Sequence, residues 1–99
     1  MARLIVSPQA DLDEASIVGM PQEKAGSEVA NRYRREFRAL FERLAMFPES
    51  GARRPKFGRH ARLAVAAPYV VIYDYYRSDL VILRVIDGRR NVTRRLVRG

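Results

Sequence analysis

Apolar and polar positions alternate along this chain with two different periods. Over residues 28–47, Val29, Tyr33, Phe37, Leu40, Phe41 and Leu44 recur at three- and four-residue spacing, which predicts a five-turn amphipathic helix. Its other side holds Glu28, Arg32, Arg35, Glu36, Arg38, Glu42 and Arg43, with Glu28/Arg32, Arg32/Glu36 and Arg38/Glu42 spaced for i,i+4 pairing. Upstream, the β-rich run at residues 3–6 stops at Ser7-Pro8, which reads as an N-cap followed by proline in the first helical position. A strand therefore leads directly into a first helix. That helix carries Leu12, Ala15 and Val18 or Gly19 on one side and ends near Gly19-Met20-Pro21, while Asp11, Asp13 and Glu14 suit its positive end as capping charges. Pro48, Gly51 and Pro55 close the long helix and open a basic loop at residues 53–60 that shows no regular pattern. Strand-like segments follow at residues 61–66, 69–76 and 79–86, the last two joined by Tyr76-Arg77-Ser78-Asp79, room only for a tight hairpin.

The order β-α-α-β-β-β predicts an α+β fold: an N-terminal strand and a two-helix hairpin packed on one face of a largely antiparallel sheet, with a short basic C-terminal tail. Residues 1–99 read as a single domain, because a chain of this length has one core. Both alternating sets of the 69–76 strand are largely apolar, as are those of the 79–86 strand apart from Arg84. Two helices cover only one face of a small sheet. The other face is thus expected to present aliphatic and tyrosine surface together with Arg84 and Asp74, the kind of patch that marks an interaction site. In residues 87–99 five arginines lie among Val92 and Leu96, and a helix there would align Arg90, Arg94 and Arg98 on one stripe.

Charge narrows the partners. Nineteen basic residues face eleven acidic ones, a formal net charge of +8, and 17 of the 19 are arginine, whose planar fork suits carboxylate and phosphate. An acidic protein, a nucleic acid or an anionic surface would each fit that balance. The absence of cysteine excludes disulfides, thiolate catalysis and cysteine-based zinc sites, and His60 as the only histidine makes a transition-metal site a poor expectation. No signal-peptide core or membrane-length apolar run is evident, so the expected location is cytoplasmic, without membrane contact. Phosphate-binding glycine loops, dinucleotide fingerprints and Ser/His/Asp groupings are absent, so no catalytic residue, metal or cofactor is assigned. Tyr69 and Tyr73 share a strand face and read as core or interface packing.

Four segments carry a resemblance over about residues 3–91. They are Leu4-Ile5-Val6-Ser7-Pro8-Gln9-Ala10-Asp11-Leu12, the helix end with Pro48-Glu49-Ser50-Gly51, the strand Tyr69-Val70-Val71-Ile72-Tyr73, and residues 81–91 with their Asp87-Gly88-Arg89-Arg90-Asn91 ending. In this order and spacing the chain resembles the RelE/ParE toxin superfamily of bacterial type II toxin-antitoxin systems. RelE-like members cleave messenger RNA in the ribosome, with an arginine after the first tyrosine of the strand, a second after the next strand and a tyrosine or histidine near the C-terminus. Those places hold Val70, Arg90 and about Leu96 here. The Pro-Glu-Ser-Gly element and short basic ending are similar to the ParE-like branch. That resemblance implies a toxin, not an enzyme, that inhibits DNA gyrase and is neutralised by a cognate ParD-like antitoxin with an acidic C-terminal segment, in a hetero-oligomer. The RelE-like, ribosome-dependent endoribonuclease is the alternative. Direct sequence-specific binding to nucleic acid is not expected. On this resemblance Arg62, Tyr73, Asp74 and Arg84 are the expected antitoxin contacts, and Arg89, Arg90, Arg94 and Arg95 the expected target contacts. Asp87 departs from a pattern in which many relatives place histidine before the Gly-Arg pair.

Overall fold

The computed structural model describes the backbone of residues 1–25 and 27–99, and the side chains of these apart from residues 20–27. Its elements run β1 (Arg3–Val6), α1 (Pro8–Ala25), α2 (Ser27–Met46), β2 (Ala52–Arg53), β3 (Ala61–Ala66), β4 (Tyr69–Tyr76), β5 (Asp79–Asp87) and α3 (Arg94–Arg98), with a 3-10 turn at Pro55–Phe57 before β3. The strands form one sheet in the order β1-β5-β4-β3-β2, antiparallel except where β1 runs parallel to β5. This is the α+β arrangement the pattern predicts, with two additions: the short edge strand β2 and the terminal helix α3. The basic loop is therefore less irregular than expected, because Ala52 and Arg53 pair with Leu63 and Arg62.

Helix α2 follows its apolar period closely. Phe37, Leu40, Phe41 and Leu44 are buried, and Tyr33, Phe37 and Phe41 succeed one another as stacked rings, with Tyr69 of β4 set against Tyr33 and Phe37. Of the three i,i+4 pairs, Arg32 and Glu36 approach to 3.9 Å on the exposed side, a contact worth a few tenths of a kcal/mol. Helix α1 departs from its predicted phase. Ala10 and Ile17 face the core and Leu12 lies 65% exposed. The inward stripe contains Asp13, because a carboxylate there has a cation to meet, and that turns Leu12 outward. The expected end near Pro21 falls where side chains lie outside the described residues, and the backbone stays helical to Ala25. The cap at the other end is Ser7, whose Oγ accepts from the Ala10 amide at 3.1 Å and donates to the Leu83 carbonyl at 3.0 Å.

The partner of Asp13 is Arg84. β1 stops at Val6, opposite Ile82, which leaves the rest of β5 with an open edge. Asp13 closes it: Oδ2 accepts from the Val85 amide at 2.9 Å, and both carboxylate oxygens receive the Arg84 guanidinium at 2.7 and 2.9 Å. The two side chains are only 10 and 13% exposed. The β4–β5 register jumps so that Ile72 faces Arg84 and Tyr73 faces Ile82, leaving Leu83 as a bulge. Bulges re-aim side chains, and this one puts Leu83 and Arg84 both on the side away from α1 and α2. From there Arg84 also donates to the Leu96 carbonyl of α3.

The sheet face opposite the helix pair is covered, contrary to expectation. Phe57, Ala61, Ile72, Ile86 and Val97 form a second apolar cluster, with Leu63, Val70, Leu83, Val92 and Leu96 packed around it. Five residues cannot hold a helix in isolation. α3 forms because Val97 is buried, Thr93 Oγ1 accepts from the Leu96 amide at 3.1 Å, and Arg98 forks onto Asp74 at 2.7 and 3.0 Å while donating to the Phe57 carbonyl. Gly58 lies beneath this strap at φ 148°, a backbone conformation that strains any residue with a Cβ, and an added Cβ would also push the Arg98 guanidinium aside.

Tyr73 does comparable work under the helices. It is wholly buried, its hydroxyl donating to the Pro48 carbonyl at 2.8 Å and accepting from the Gly51 amide at 2.9 Å. A Cβ at Gly51 would overlap that tyrosine ring. The Pro48-Glu49-Ser50-Gly51 element is thus a backbone latch closed on Tyr73, and Arg62 tightens it by donating from one nitrogen to the Glu49 and Gly51 carbonyls, both at 2.9 Å.

Replacing Asp13 with alanine leaves a nearly buried guanidinium and the Val85 amide without a carboxylate. Urea unfolding is expected to show a loss of about 3 kcal/mol, partly recovered when Arg84 is also made methionine. Tyr73→Phe removes the hydroxyl on which the latch closes, leaving the Gly51 amide and the Pro48 carbonyl without that partner. The same measurement is expected to show a loss of about 1–3 kcal/mol.

Candidate functional site

The residues expected to meet a partner are divided by the fold. Tyr73 lies beneath the helix pair, and Arg84 lies under α3 with its fork committed to Asp13 and Leu96. Asp74 is engaged by Arg98. These placements correct the expectation of a free hairpin face bearing Asp74 and Arg84, and they put Tyr73 in the core, as its reading as packing allowed, and not at a partner surface. The apolar surface assigned to a partner is buried by the chain's own tail, which reaches back over the sheet. Arg62 keeps part of its guanidinium available, because the bonds it makes to described residues use a single nitrogen.

The tail arginines are distributed differently from the expected stripe. Arg89 forks back onto Asp87 at 2.6 and 3.0 Å, and the same carboxylate accepts the Arg89 amide at 2.9 Å, so the pair sets the turn after β5. The side-chain bond from Arg89, reinforced by its backbone bond, lowers the Asp87 carboxyl from 3.8 to about 2. Asp87 is therefore a turn-forming residue that half-neutralises Arg89. Arg90, Arg94 and Arg95 are exposed and have no ion-pair partner among the described residues. Helix α3 begins only at Arg94, so Arg90 is outside it and Val97, not Val92, supplies its buried contact.

Sequence reasoning missed two surfaces. One is a hollow of about 560 Å3 lined by Met46, Phe47, Pro48, Glu49, Ser50 and Tyr75, where Met46 and Phe47 are 56 and 60% exposed at the end of α2. The signal was present: Met46-Phe47 continues past the last buried residue of the helix. The other is a cluster of cations drawn from β2, the loop before β3 and the hairpin turn, which only the strand register brings together.

Among the described residues the arrangement offers binding surfaces and no assembled acid-base pair. His60 is stacked on Tyr76 at 4.2 Å, and burial raises the pKa values of Tyr69 and Tyr73 above the usual phenol value, which disfavours the phenolate a base would need. Val70 and Leu96, at two of the three places where an RNA-cleaving relative keeps polar groups, belong to the second apolar cluster. Glu14 is likewise raised by burial, against the opposing charge of Arg38, and sits on α1 away from these residues. Among the described residues no group of three metal-ligating side chains occurs, and no helix is long and apolar enough to cross a membrane.

Comparison with known proteins finds relatives of this chain. Toxin ParE3 of Caulobacter vibrioides is 34% identical over 74 residues, which cover 75% of this chain and 74% of that protein. A solved structure described as the chromosomal ParDE TA system from P. aeruginosa shares the fold with a TM-score of 0.72 at 20% identity, over 88% of this chain and 96% of the other. The profile of the family described as ParE toxin of type II toxin-antitoxin system, parDE, matches residues 4–92. With nearly all of its strands and both long helices inside that match, the chain belongs to the ParE toxin family of type II toxin-antitoxin systems.

Proposed function

We propose that this protein acts in the cytoplasm as a toxin that inhibits DNA gyrase by binding it, and that a ParD-like antitoxin with an acidic C-terminal segment neutralises it in a hetero-oligomer. The observation that carries a binding role over a catalytic one is the packing of Val70 and Leu96 against the apolar cluster between α3 and the sheet. A ribonuclease needs polar groups poised around a phosphate at such a face. Here that face is filled with aliphatic side chains. Target contact falls to the cations left over once the internal pairs are made. Arg90, Arg94 and Arg95 fit that role, with Arg89 as a weaker contributor because Asp87 already holds it.

For the antitoxin, the hollow beside Arg62 replaces the buried hairpin positions. It presents Met46 and Phe47 next to the latch that Arg62 binds, so an acidic segment with apolar anchors would fill it and meet the guanidinium. Folding of a disordered segment onto such a surface is driven by the apolar area and steered by the charge.

Purified protein in a gyrase supercoiling and DNA-cleavage assay is expected to block supercoiling, and a parallel ribosome-dependent mRNA cleavage assay is expected to show no products. Arg94→Gln with Arg95→Gln should weaken gyrase inhibition about tenfold without changing the thermal midpoint, since neither side chain pairs within the described fold. mRNA cleavage without gyrase inhibition would reverse the assignment. Met46→Glu with Phe47→Glu is expected to weaken antitoxin binding by a factor of ten or more in calorimetry while leaving gyrase inhibition intact. Unchanged affinity would place the antitoxin elsewhere.

A further inference from the structure

Arginines in this protein fall into two groups. Arg3, Arg84, Arg89 and Arg98 each hold an aspartate. Arg53, Arg59 and Arg77 have no ion-pair partner among the described residues, yet they converge with Arg62, His60 and Tyr76 on one cleft. Only Glu49 adds a carboxylate to its lining. Four guanidinium groups around one concavity repel one another unless an anion joins them.

The cleft is built by the strand ladder. The Tyr75 amide donates to the His60 carbonyl at 3.1 Å, carrying the β3–β4 pairing beyond Ala61 and Asp74 and bringing residue 60 beside residue 76. Their rings stack at 4.2 Å with 30° between planes. Arg77, in the left-handed region at φ 57°, returns over Tyr76 with its guanidinium carbon 5.1 Å from the ring centre. Arg62 is fixed by its two carbonyl bonds. The result is an aromatic pair beside a fixed cation, with Arg77 laid over Tyr76 and with Arg53 and Arg59 unpaired among the described residues at the same cleft.

The dimensions discriminate between ligands. A cleft of about 180 Å3 is smaller than the roughly 300 Å3 at which sites begin to enclose a whole small molecule. It admits a phosphate group and leaves a base outside, against the stacked rings. An acidic peptide would use the arginines and leave the aromatic pair idle, whereas a single strand uses both, since stacked aromatics with interleaved arginine tolerate any base. We propose that this cleft binds the phosphodiester backbone of single-stranded nucleic acid, without sequence preference, with a base stacked at Tyr76. The site belongs to the toxin alone and does not depend on the gyrase reading.

The test is fluorescence anisotropy of a short labelled oligothymidylate titrated with the full chain over a salt series, without gyrase. Arg59→Gln with Arg77→Gln is expected to lower affinity about tenfold and to reduce the slope of log affinity against log salt by about 1.4, or about 0.7 for each phosphate no longer neutralised. Tyr76→Ala is expected to weaken binding about fivefold with the slope unchanged, the signature of missing stacking. Arg59 and Arg77 make no hydrogen bond or ion pair among the described residues, so their double substitution should leave the thermal midpoint within about two degrees; Tyr76→Ala also loses the ring contact with His60, so its fold is checked by circular dichroism. Equal losses from Arg59/Arg77 and from Arg94/Arg95 substitution would overturn the proposal in favour of diffuse attraction. So would a polyglutamate peptide that binds more tightly than the oligonucleotide and is indifferent to Tyr76→Ala, which would make the cleft a seat for acidic protein.

Discussion

The Asp13–Arg84 pair is the joint at which the parts of this molecule meet. It ties α1 to β5, closes the stretch of β5 that β1 is too short to cover, and through the Leu96 carbonyl reaches α3 on the other side of the sheet. An open strand edge invites pairing with other chains. Here a carboxylate takes the place of the missing strand. Desolvating two charges is costly, and the geometry offsets that cost by satisfying both carboxylate oxygens and a backbone amide at once. The bulge at Leu83 is the backbone adjustment that makes this reach available.

With some arginines committed to aspartates, the unpaired ones acquire meaning by subtraction. Four arginines hold aspartates, a fifth, Arg62, braces the Pro-Glu-Ser-Gly turn, and two further groups gather at the tail and at the hairpin end. A net charge of +8 on so small a body is therefore not spread evenly. Such a layout lets different partners address different groups of cations on one domain.

Much of the fold was legible in the sequence because its periodicities are strong. The α2 stripe, the Ser7-Pro8 helix start and the tight hairpin all appear where the pattern places them. What escaped was information carried by contacts distant in the chain. Leu12 reads as a core residue until Asp13 is known to face Arg84, 71 positions away. Residues 94–98 read as a charged tail because their anchors, the buried Val97 and the fork of Arg98 on Asp74, follow no period that would reveal them. Arg84 and Asp74 read as surface because sequence alternation names two apolar faces without saying that the chain itself covers both. The cation cleft was invisible for the same reason, being assembled from separate segments.

The strap formed by α3 changes what its removal would mean. Val97 and Arg98 complete the second apolar cluster and pin Asp74 and the loop at Phe57, so cutting the chain at residue 88 would uncover Ile72 and Ile86 as well as discard the tail cations. A shortened protein without toxicity would then be reporting a sheet stripped on one side and prone to clump. The last eleven residues are at once lining and label, and only substitutions confined to their outward side chains can separate the two.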